Sequence, residues 1–407
     1  PQMATAMGSE GQAGAFVGAG AAILFGLLLV IRSRLRRQGS PARSLADPPV
    51  LFRLATRNAG RNPQRSTMTI GLMATASFLV LSIGAFRLDV NKNGTGGFDG
   101  IATSSVPIYD NLADPVVRGR VLGEDHAREL EDCTIIPLRW KPGDDASCNN
   151  MYQASEPQVL GVTRSMVEYF NDAKEDAAFR WAGSEAVGED ITNSWRLLDS
   201  GGTVHQGSEQ DPVPVVLDKN TAMFSLKLMG GVGQVFPITY DNHQVIHFRV
   251  SGLLVNSVLQ GSLLIGEADF QRHFPTISGY RYFLVQSPPG KGAQHHAILE
   301  DRLGDQGFDV QSAPKRLASL LAVQNTYLST FQSLGALGML LGTFGLATVQ
   351  LRNILERRSE LALMRSAGFP GSRLARMILL ENMLLLLGGL ATGALAALFA
   401  VLPHVVF

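Results

Sequence analysis

Apolar positions concentrate in four stretches of the chain, each long enough to cross a bilayer, which takes about 20 largely apolar residues. They lie within the charge-free run Gly11–Ile31, in Ser66–Phe86, in Phe331–Leu351 and in Met377–Val401. A buried core helix is the alternative for any one stretch. Because four such stretches occur, each with arginine beside it, the pattern predicts four transmembrane helices.

Short β-rich runs and helical runs alternate between the second and third apolar stretches. The predicted strands are 158–162, 213–217, 245–255, 262–265 and 281–286, and the predicted helices are 163–170, 220–228, 267–274 and 293–306. Strands and helices mix without a regular βαβ period. This mixture favours an α+β fold over a doubly wound sheet.

Charge is distributed unevenly, although 35 basic and 35 acidic residues cancel over the 407 residues. The connection 32–65 carries nine arginines and one acid, and the connection 352–376 carries six arginines and two acids. Residues 87–330 carry 20 basic and 30 acidic groups, a net charge of −10. Because basic loops stay in the cytoplasm, both arginine-rich connections are predicted to be cytoplasmic and the acidic region extracytoplasmic.

The predicted fold class is therefore an α-helical membrane protein, with about four transmembrane helices and a large α+β extracytoplasmic domain. The charged content of 17% is low for a soluble protein, and the zero net charge excludes a strongly basic nucleic-acid-binding protein. With both connections cytoplasmic, both chain ends fall on the outer side. The chain also starts at Pro1 without a signal peptide, which favours a fragment of a longer polytopic protein.

Candidate chemistry in the acidic region is sparse, and the chain is predicted not to be an enzyme. The glycine-rich stretch Asn93–Gly100 lacks a following Gly-Lys-Ser/Thr, which favours a flexible loop leaving the membrane over a phosphate-binding loop. His243 and His247 share a strand face but stand about 13 Å apart, and His295 and His296 are adjacent. Neither pair has a metal-binding pattern, so all four are interpreted as surface or strand-packing residues.

Cys133 and Cys148 are the only cysteines, and both lie in the predicted extracytoplasmic region. A disulfide between them would close a loop of about 15 residues and stabilise the fold by about 3 kcal/mol. The alternative is two free thiols.

A run of 35 uncharged residues, Leu317–Leu351, exceeds what one span requires. A single helix of this length would measure about 52 Å, against a hydrocarbon core of about 30 Å. The run therefore predicts a transmembrane helix whose outer end continues as a stalk under the folded domain.

Small residues recur four apart in the last two apolar stretches, at Gly338 and Gly342 and at Gly389 and Gly393. This spacing lets membrane helices approach closely. It predicts tight helix packing, for which a dimer interface is one setting, and the alternative is the ordinary glycine frequency of membrane helices.

The second arginine-rich connection predicts a helical hairpin. Helix-favouring residues continue up to Gly368, which suits the position just after a helix end, and Pro370 cannot continue a helix. Leu361, Met364 and Phe369 form an apolar face that a merely solvated loop would not need. We interpret this connection as a docking element for a cytoplasmic partner.

A resemblance to a known family lies in the segment LRNILERRSELALMRSAGF and in the Leu-rich span that begins ILLEN. Both resemble the FtsX-like permease domain of MacB-type ABC transporters. The segment before the second span resembles that family's amphipathic cytoplasmic helix, and it reads LFRLATRNAGRNPQRSTMTIGLMA. The resemblance covers residues 51–86 and 317–402 well. It covers the outer domain only loosely, through VPVVLDKNTAMFSLKL and VSGLLV.

The resemblance implies a permease subunit that couples ATP hydrolysis by a partner ATPase to movement of the extracytoplasmic domain, which is called mechanotransmission. It implies export or extraction of a lipophilic substrate or lipoprotein, and the alternative is a non-transporting regulator of a cell-envelope hydrolase. The chain has no Walker A sequence, so no cofactor is expected in it and ATP is expected in the partner. The residues expected to contact the ATPase are Glu356, Arg357, Arg358, Glu360, Leu361, Met364, Arg365, Gly368 and Phe369.

The resemblance also implies a multi-pass protein of the bacterial inner membrane. Its expected partners are the ATPase, the lipid bilayer, a second permease copy or half and a periplasmic adaptor, whereas nucleic acid is not expected. The family has one more span after the last one seen in this chain, which also favours the fragment hypothesis.

The predicted segments follow from these boundaries. They are 1–35 (first span and basic flank), 36–65 (cytoplasmic linker and amphipathic helix), 66–86 (second span), 87–316 (extracytoplasmic domain), 317–351 (stalk and third span), 352–376 (coupling loop) and 377–402 (fourth span), with the permease domain covering about residues 317–407.

Overall fold

The structure is a computed structural model, and it describes residues 9–37, 60, 63–85, 91–144, 155–172, 178–186, 193–199, 201, 203–240, 244–356 and 358–406. The chain divides into two compact units. Residues 1–87 and 324–407 form the membrane unit, and residues 88–323 form the outer unit. The outer unit is therefore one continuous stretch inserted between two parts of the membrane unit.

The helices of the described residues are Ser9–Arg37 (α1), Pro63–Ala85 (α2), Lys92–Thr95 (α3), Pro115–Leu122 (α4), Glu124–Glu129 (α5), Arg164–Asp172 (α6), Glu267–His273 (α7), Gly292–Arg302 (α8), Ala313–Glu356 (α9), Arg358–Ser366 (α10) and Gly371–Val406 (α11). Short 3-10 helices span Ser194–Leu198 and Gly304–Gln306, and a π-helix spans Thr221–Ser225. The strands are Gly100–Ile108 (β1), Thr134–Lys141 (β2), Gln158–Val162 (β3), Trp181–Ser184 (β4), Val213–Asp218 (β5), Val235–Thr239 (β6), Val245–Leu254 (β7), Ser262–Gly266 (β8), Tyr280–Gln286 (β9) and Asp309–Ser312 (β10).

Three helices in the described part of the chain are long and apolar enough to cross a membrane. These candidate spans are Gly18–Arg36, Ser66–Ala85 and Gly371–Leu402. The remaining predicted span, residues 331–351, lies within α9, and several of its side chains fall outside the described residues. Three of the four predicted spans are thus confirmed as apolar helices of sufficient length, and the fourth stays a prediction.

Helices α1, α2 and α11 pack around a small apolar core in the membrane unit. Its members are Leu24, Ala74, Phe78, Ala396, Ala397 and Ala400. A Cβ atom added at Gly20 would lie 2.6 Å from the Ala400 Cβ atom. Because no real pair of carbon atoms approaches so closely, α1 requires a glycine here in order to contact α11.

The outer unit is built on one mixed sheet. Its ten strands run in the order β10-β1-β9-β2-β3-β8-β5-β7-β4, with β6 paired to β7. The β3–β8 and β5–β7 pairs are parallel, whereas β9 pairs antiparallel with both β1 and β2. The predicted mixture of helix and strand in the outer domain is confirmed.

The predicted strands correspond to β3, β5, β7, β8 and β9, whereas β1 and β2 are not predicted by the sequence. Strand β2 carries Pro137 in the middle of the sheet, paired with Phe283 of β9. A proline inside a run normally argues against a central strand. The predicted helix 220–228 is reduced to the π-helix Thr221–Ser225.

The glycine-rich stretch after the second span is folded, so the predicted flexible loop is wrong. Residues Lys92–Thr95 form the helical turn α3, and the Asn91 side chain caps it by accepting a hydrogen bond from the Gly94 N–H at 2.8 Å. Gly96 has φ of +65°, a conformation that favours glycine. Phe98 follows and is buried in the core of the outer unit.

Candidate functional site

The predicted coupling loop has a defined geometry on the C-terminal side of α10. The Gly368 N–H donates to the Arg365 carbonyl at 3.1 Å, and the Phe369 N–H donates to the Met364 carbonyl at 3.1 Å. Gly368 has φ of +91°. These bonds form a Schellman motif, which satisfies the last carbonyls of the helix and reverses the chain before α11 begins at Gly371.

The side chains of the coupling loop offer both apolar and charged groups. Leu361 and Met364 are half-buried, whereas Leu363 is 73% exposed and Phe369 is exposed as well. The predicted contact residues Arg358 and Arg365 are exposed. An α-helix with large apolar side chains left in solvent is typical of an interaction surface.

Three further residues predicted to contact the ATPase are Glu356, Arg357 and Glu360. Glu356 ends α9 and accepts a hydrogen bond from Arg352 Nε at 2.8 Å, in an exposed pair that contributes little stability. Arg357 and the side chain of Glu360 lie outside the described residues. Their expected contact with an ATPase stays a prediction, as it does for the rest of the set.

The two glycines predicted to pack helix α11 lie against α2. A Cβ atom at Gly389 would stand 2.6 Å from the Met73 Cβ atom and 3.0 Å from the Ile70 carbonyl oxygen. A Cβ atom at Gly393 would collide with the Ala74 carbonyl oxygen. The two helices therefore approach backbone to backbone, as small residues spaced four apart allow.

The two predicted packing glycines of α9 differ from each other. A Cβ atom at Gly342 would collide with the Leu72 side chain of α2, so this glycine lies at a helix contact within the membrane unit. A Cβ atom at Gly338 would meet no described atom within 4 Å. Gly338 therefore contacts no other helix among the described residues, and its packing role stays a prediction.

Glu381 of α11 is a further position of interest, for which the sequence analysis predicts no role. Its side chain is only 2% exposed, inside a candidate membrane span. One turn later Leu385 packs against Ile70 of α2. An ionisable group in a membrane span is costly and marks a structural or functional position, and the signal in the sequence is a lone acid within the last apolar stretch.

The beginning of α9 forms part of the hydrophobic core of the outer unit. Ala313, Leu317 and Leu321 are all buried in one cluster together with Phe98 and Leu254. Residues four apart share one face of a helix, so a single stripe of α9 packs into the domain. The outer end of this helix is therefore held in the domain core, rather than standing below it as a stalk from Leu317 onward.

The segment that follows the second span contacts this same part of α9 through Gly94 and Asp99. A Cβ atom at Gly94 would lie 2.6 Å from Leu317 Cδ2 and 2.8 Å from the Asn256 carbonyl oxygen. The Ala313 N–H donates to the Asp99 carbonyl at 2.9 Å. We call Gly94, Asp99, Ala313 and Leu317 the junction. These residues bring the segment by which the chain enters the outer unit into contact with the segment by which it leaves.

The loop after β7 supports the junction through a buried carboxyl group. Asp218 accepts hydrogen bonds from the Ser257 N–H at 2.6 Å and from the Asn220 N–H at 2.9 Å. Burial raises the pKa of Asp218 to about 6, although both hydrogen bonds favour the ionised form. The next residue in the loop, Val258, donates its N–H to the Gly94 carbonyl at 2.8 Å.

The two adjacent histidines lie on α8, and the interpretation as a surface or strand-packing residue is wrong for His295, whereas His296 is only half-buried. His295 is 1% exposed and packs beneath the helix. His296 Nε2 stands 2.9 Å from Asp99 Oδ2. His243 lies outside the described residues, and within the part of the chain that is described no group of three His, Cys, Asp or Glu side chains could hold a metal ion.

Cys133 is a buried thiol on the outer unit, where burial raises its pKa to about 11. A thiol with so high a pKa remains protonated and is a poor nucleophile. Nearby, the Arg118 guanidinium donates to the Leu130 and Cys133 carbonyls at 2.7 Å. Cys148 lies outside the described residues, so the disulfide stays a prediction.

The apolar helices and the acidic α/β unit between them define a membrane protein with an extracytoplasmic domain. In its C-terminal part, residues 333–403 match the family described as FtsX-like permease C-terminal. The predicted resemblance to FtsX-like permeases is thereby confirmed for this part of the chain. Comparison with curated proteins gives no match.

The solved structures to which the chain is similar include two extracytoplasmic domains. The periplasmic region of MacB from Actinobacillus actinomycetemcomitans aligns with 11% identity and a TM-score of 0.29, over 55% of this chain and 92% of its own. The extracellular domain of the noncanonic ABC-type transporter YknZ from Gram-positive bacteria aligns with 12% identity and a TM-score of 0.27, over 53% of this chain and 100% of its own.

Proposed function

We propose that the chain is the permease subunit of an ABC transporter, which couples ATP hydrolysis by a cytoplasmic partner to movement of the outer unit. The observation that carries the proposal is the continuity of α9. This helix contains 44 residues, begins in the core of the outer unit and ends at Glu356, within the coupling loop. At 1.5 Å per residue it is about 66 Å long.

A continuous helix is suited to transmit movement because its backbone hydrogen bonds are already satisfied along its length. At its outer end the junction attaches it to the domain through Leu317 and Ala313. At its other end Glu356 is separated from α10 by one residue. A displacement of the coupling loop along this axis would therefore reach the core of the outer unit.

The ATPase is proposed to dock on the coupling loop, with Leu361, Met364 and Phe369 as apolar contacts. The Schellman motif at Gly368 holds α10 and the start of α11 in a fixed reversal. Arg358 and Arg365 supply positive charge at the rim of this surface. ATP would bind to the partner, because this chain has no Walker A sequence.

The double variant Leu361→Asp/Met364→Asp tests this docking surface. Two buried interface carboxylates without partners cost several kcal/mol in binding, on the order of a hundredfold or more in affinity. The variant is expected to insert normally in the membrane but to lose co-purification of the ATPase. Ser359→Asp is the matched control, because this exposed residue lies on the opposite face of the same helix. Undiminished co-purification with the double variant would contradict the proposal.

A further inference from the structure

A cavity of about 940 Å³ lies in the outer unit at the first turns of α9. Its walls come from α8, β10 and α9. The polar groups on these walls include the side chains of His296, Lys315 and Arg316, and the apolar groups include Val310, Pro314 and Leu320. The cavity therefore combines positive charge with an apolar wall.

Lys315 and Arg316 are the two cations of α9 that line this cavity. Neither Lys315 nor Arg316 forms an ion pair with a carboxylate among the residues that the structure describes. The Arg316 Nε atom is buried and has no hydrogen-bond partner in the described structure. By contrast, Arg139, Lys141 and Lys291 in the same unit each pair with a carboxylate.

Asp99 is the one acidic residue among the described residues that line the cavity. Its Oδ1 atom accepts a hydrogen bond from the Ser287 N–H at 2.6 Å, and its Oδ2 atom lies 2.9 Å from His296 Nε2. Burial alone would raise the pKa of Asp99, but the hydrogen bonds from His296 and Ser287 lower it below its usual value. Asp99 therefore contacts His296, and with both Lys315 and Arg316 in its lining the cavity keeps a net positive charge.

The positive cavity contrasts with the unit that contains it. Residues 87–330 carry a net charge of −10, which repels anions over most of the surface. Lys315 is exposed to solvent and Arg316 is half-buried, so an anion that enters the cavity would meet both charges in charge-assisted hydrogen bonds. The adjoining apolar wall, with Leu320 and Val310, would contact a ligand that continues beyond its charged group as a hydrocarbon chain.

We propose that this cavity binds the anionic head of an amphiphile, a phosphate or carboxylate group joined to an apolar chain. Lys315 and Arg316 contact the anion, and Leu320 contacts the first part of the chain. The inference rests on the proposed permease function and deepens it by naming anionic amphiphiles as the substrate class. The same anionic group is present on bilayer lipids and on soluble anions, and the experiment distinguishes the two sources.

The experiment measures binding to the full chain purified in a neutral detergent. The probes are short-chain phosphatidylglycerol, short-chain phosphatidylcholine and inorganic phosphate. Phosphatidylglycerol is expected to bind saturably and about tenfold or more tightly than either other probe, since it alone offers both an uncompensated anion and an apolar chain. Lys315→Gln/Arg316→Gln is expected to weaken its binding by about tenfold or more, because two charge-assisted contacts are lost.

Matched variants separate the cavity from general effects of charge. Arg128→Gln/Arg164→Gln removes two exposed cations of the same unit that do not line the cavity, and it should leave phosphatidylglycerol affinity unchanged. Leu320→Asn should weaken binding of phosphatidylglycerol and leave binding of phosphate unchanged. Trp140, Trp181 and Trp195 all lie in the outer unit, so tryptophan fluorescence verifies that each variant keeps this unit folded.

Several outcomes would overturn the inference. Unchanged affinity in Lys315→Gln/Arg316→Gln would show that the cavity is not the site. Phosphate binding as tightly as phosphatidylglycerol would exclude an amphiphile, and equal binding of phosphatidylcholine would exclude an anion. Co-purification of the ATPase is measured on the same samples. A chain that retains the ATPase but binds no phosphatidylglycerol would refute the cavity and leave the permease function standing.

Discussion

Gly94 shows how one residue can decide whether two chain segments meet. Its missing side chain lets the segment after the second span lie directly on Leu317 of α9 and on the Asn256 carbonyl. The N–H of Val258 then reaches the Gly94 carbonyl. Since protein interiors are close-packed, even one methyl group at this position must displace backbone or side-chain atoms.

Gly94→Ala is expected to destabilise the outer unit by about 1–3 kcal/mol, because the added Cβ atom overpacks the junction. The measurement is thermal unfolding of the full chain in detergent, followed by tryptophan fluorescence, to which only the outer unit contributes. Gly304→Ala is the control, since its Cβ atom would meet no described atom within 4 Å. Equal unfolding temperatures for the two variants would contradict the role of Gly94.

Several positions in the outer unit could not be predicted from the sequence. The glycine-rich stretch Asn93–Gly100 has the composition of a flexible loop, yet the chain needs its glycines because Leu317 and Phe179, distant in sequence, lie against them. Likewise the adjacent histidines give no sign that His295 is buried. These positions depend on tertiary neighbours, which a single sequence does not specify.

Among the elements, α2 and α11 contact each other backbone to backbone in the membrane unit. The contact is built from Gly389 and Gly393 on one helix and from the backbone of Ile70–Ala74 on the other. Without a hydrophobic driving force in the bilayer, helix association depends on such close packing. Here the spacing of glycines in the sequence indicated a close-packing surface, and the structure shows which helix occupies it.

Gly393→Ala is expected to weaken this contact by about 1–3 kcal/mol, because the Cβ atom would press on the Ala74 carbonyl. The fraction of protein that remains monodisperse after heating in detergent, measured by size-exclusion chromatography, reports the loss. Gly388→Ala, in the same helix, meets no described atom within 4 Å and should be neutral or slightly stabilising. A larger loss of monodisperse protein in Gly388→Ala than in Gly393→Ala would contradict the packing of Gly393 against α2.

The elements also differ in how well sequence predicts them. Long apolar runs specify membrane helices almost by length alone, and β3, β5, β7, β8 and β9 follow from β-rich segments. Strand β2 escapes prediction because Pro137 lies within it and the surrounding sheet outweighs local preference. The true start of α9, at Ala313, escapes prediction because Lys315 and Arg316 interrupt the apolar pattern.

For the whole molecule, the balanced net charge conceals a separation of charge along the chain. The arginine-rich connections and the acidic outer region predict the topology, and the match of residues 333–403 to FtsX-like permeases agrees with the class of protein. The central claim is that α9 couples the cytoplasmic loop to the outer unit. That claim requires the helix to act as one element from the junction to Glu356.

The most direct measurement compares spin-label distances in the full chain bound to its ATPase in lipid nanodiscs, with and without a non-hydrolysable ATP analogue. Labels at Val116, which is 75% exposed, and at Leu402 report on the outer and membrane units in a Cys133→Ser/Cys148→Ser background. A second variant in the same background carries two glycines inserted after Thr330, where they weaken the helix by about 1 kcal/mol each.

We expect nucleotide to change the Val116–Leu402 distance distribution in the chain with an intact α9. The insertion should abolish this change while the ATPase still co-purifies. An unchanged distribution in the intact chain, or an equal change in the insertion variant, would contradict coupling through α9.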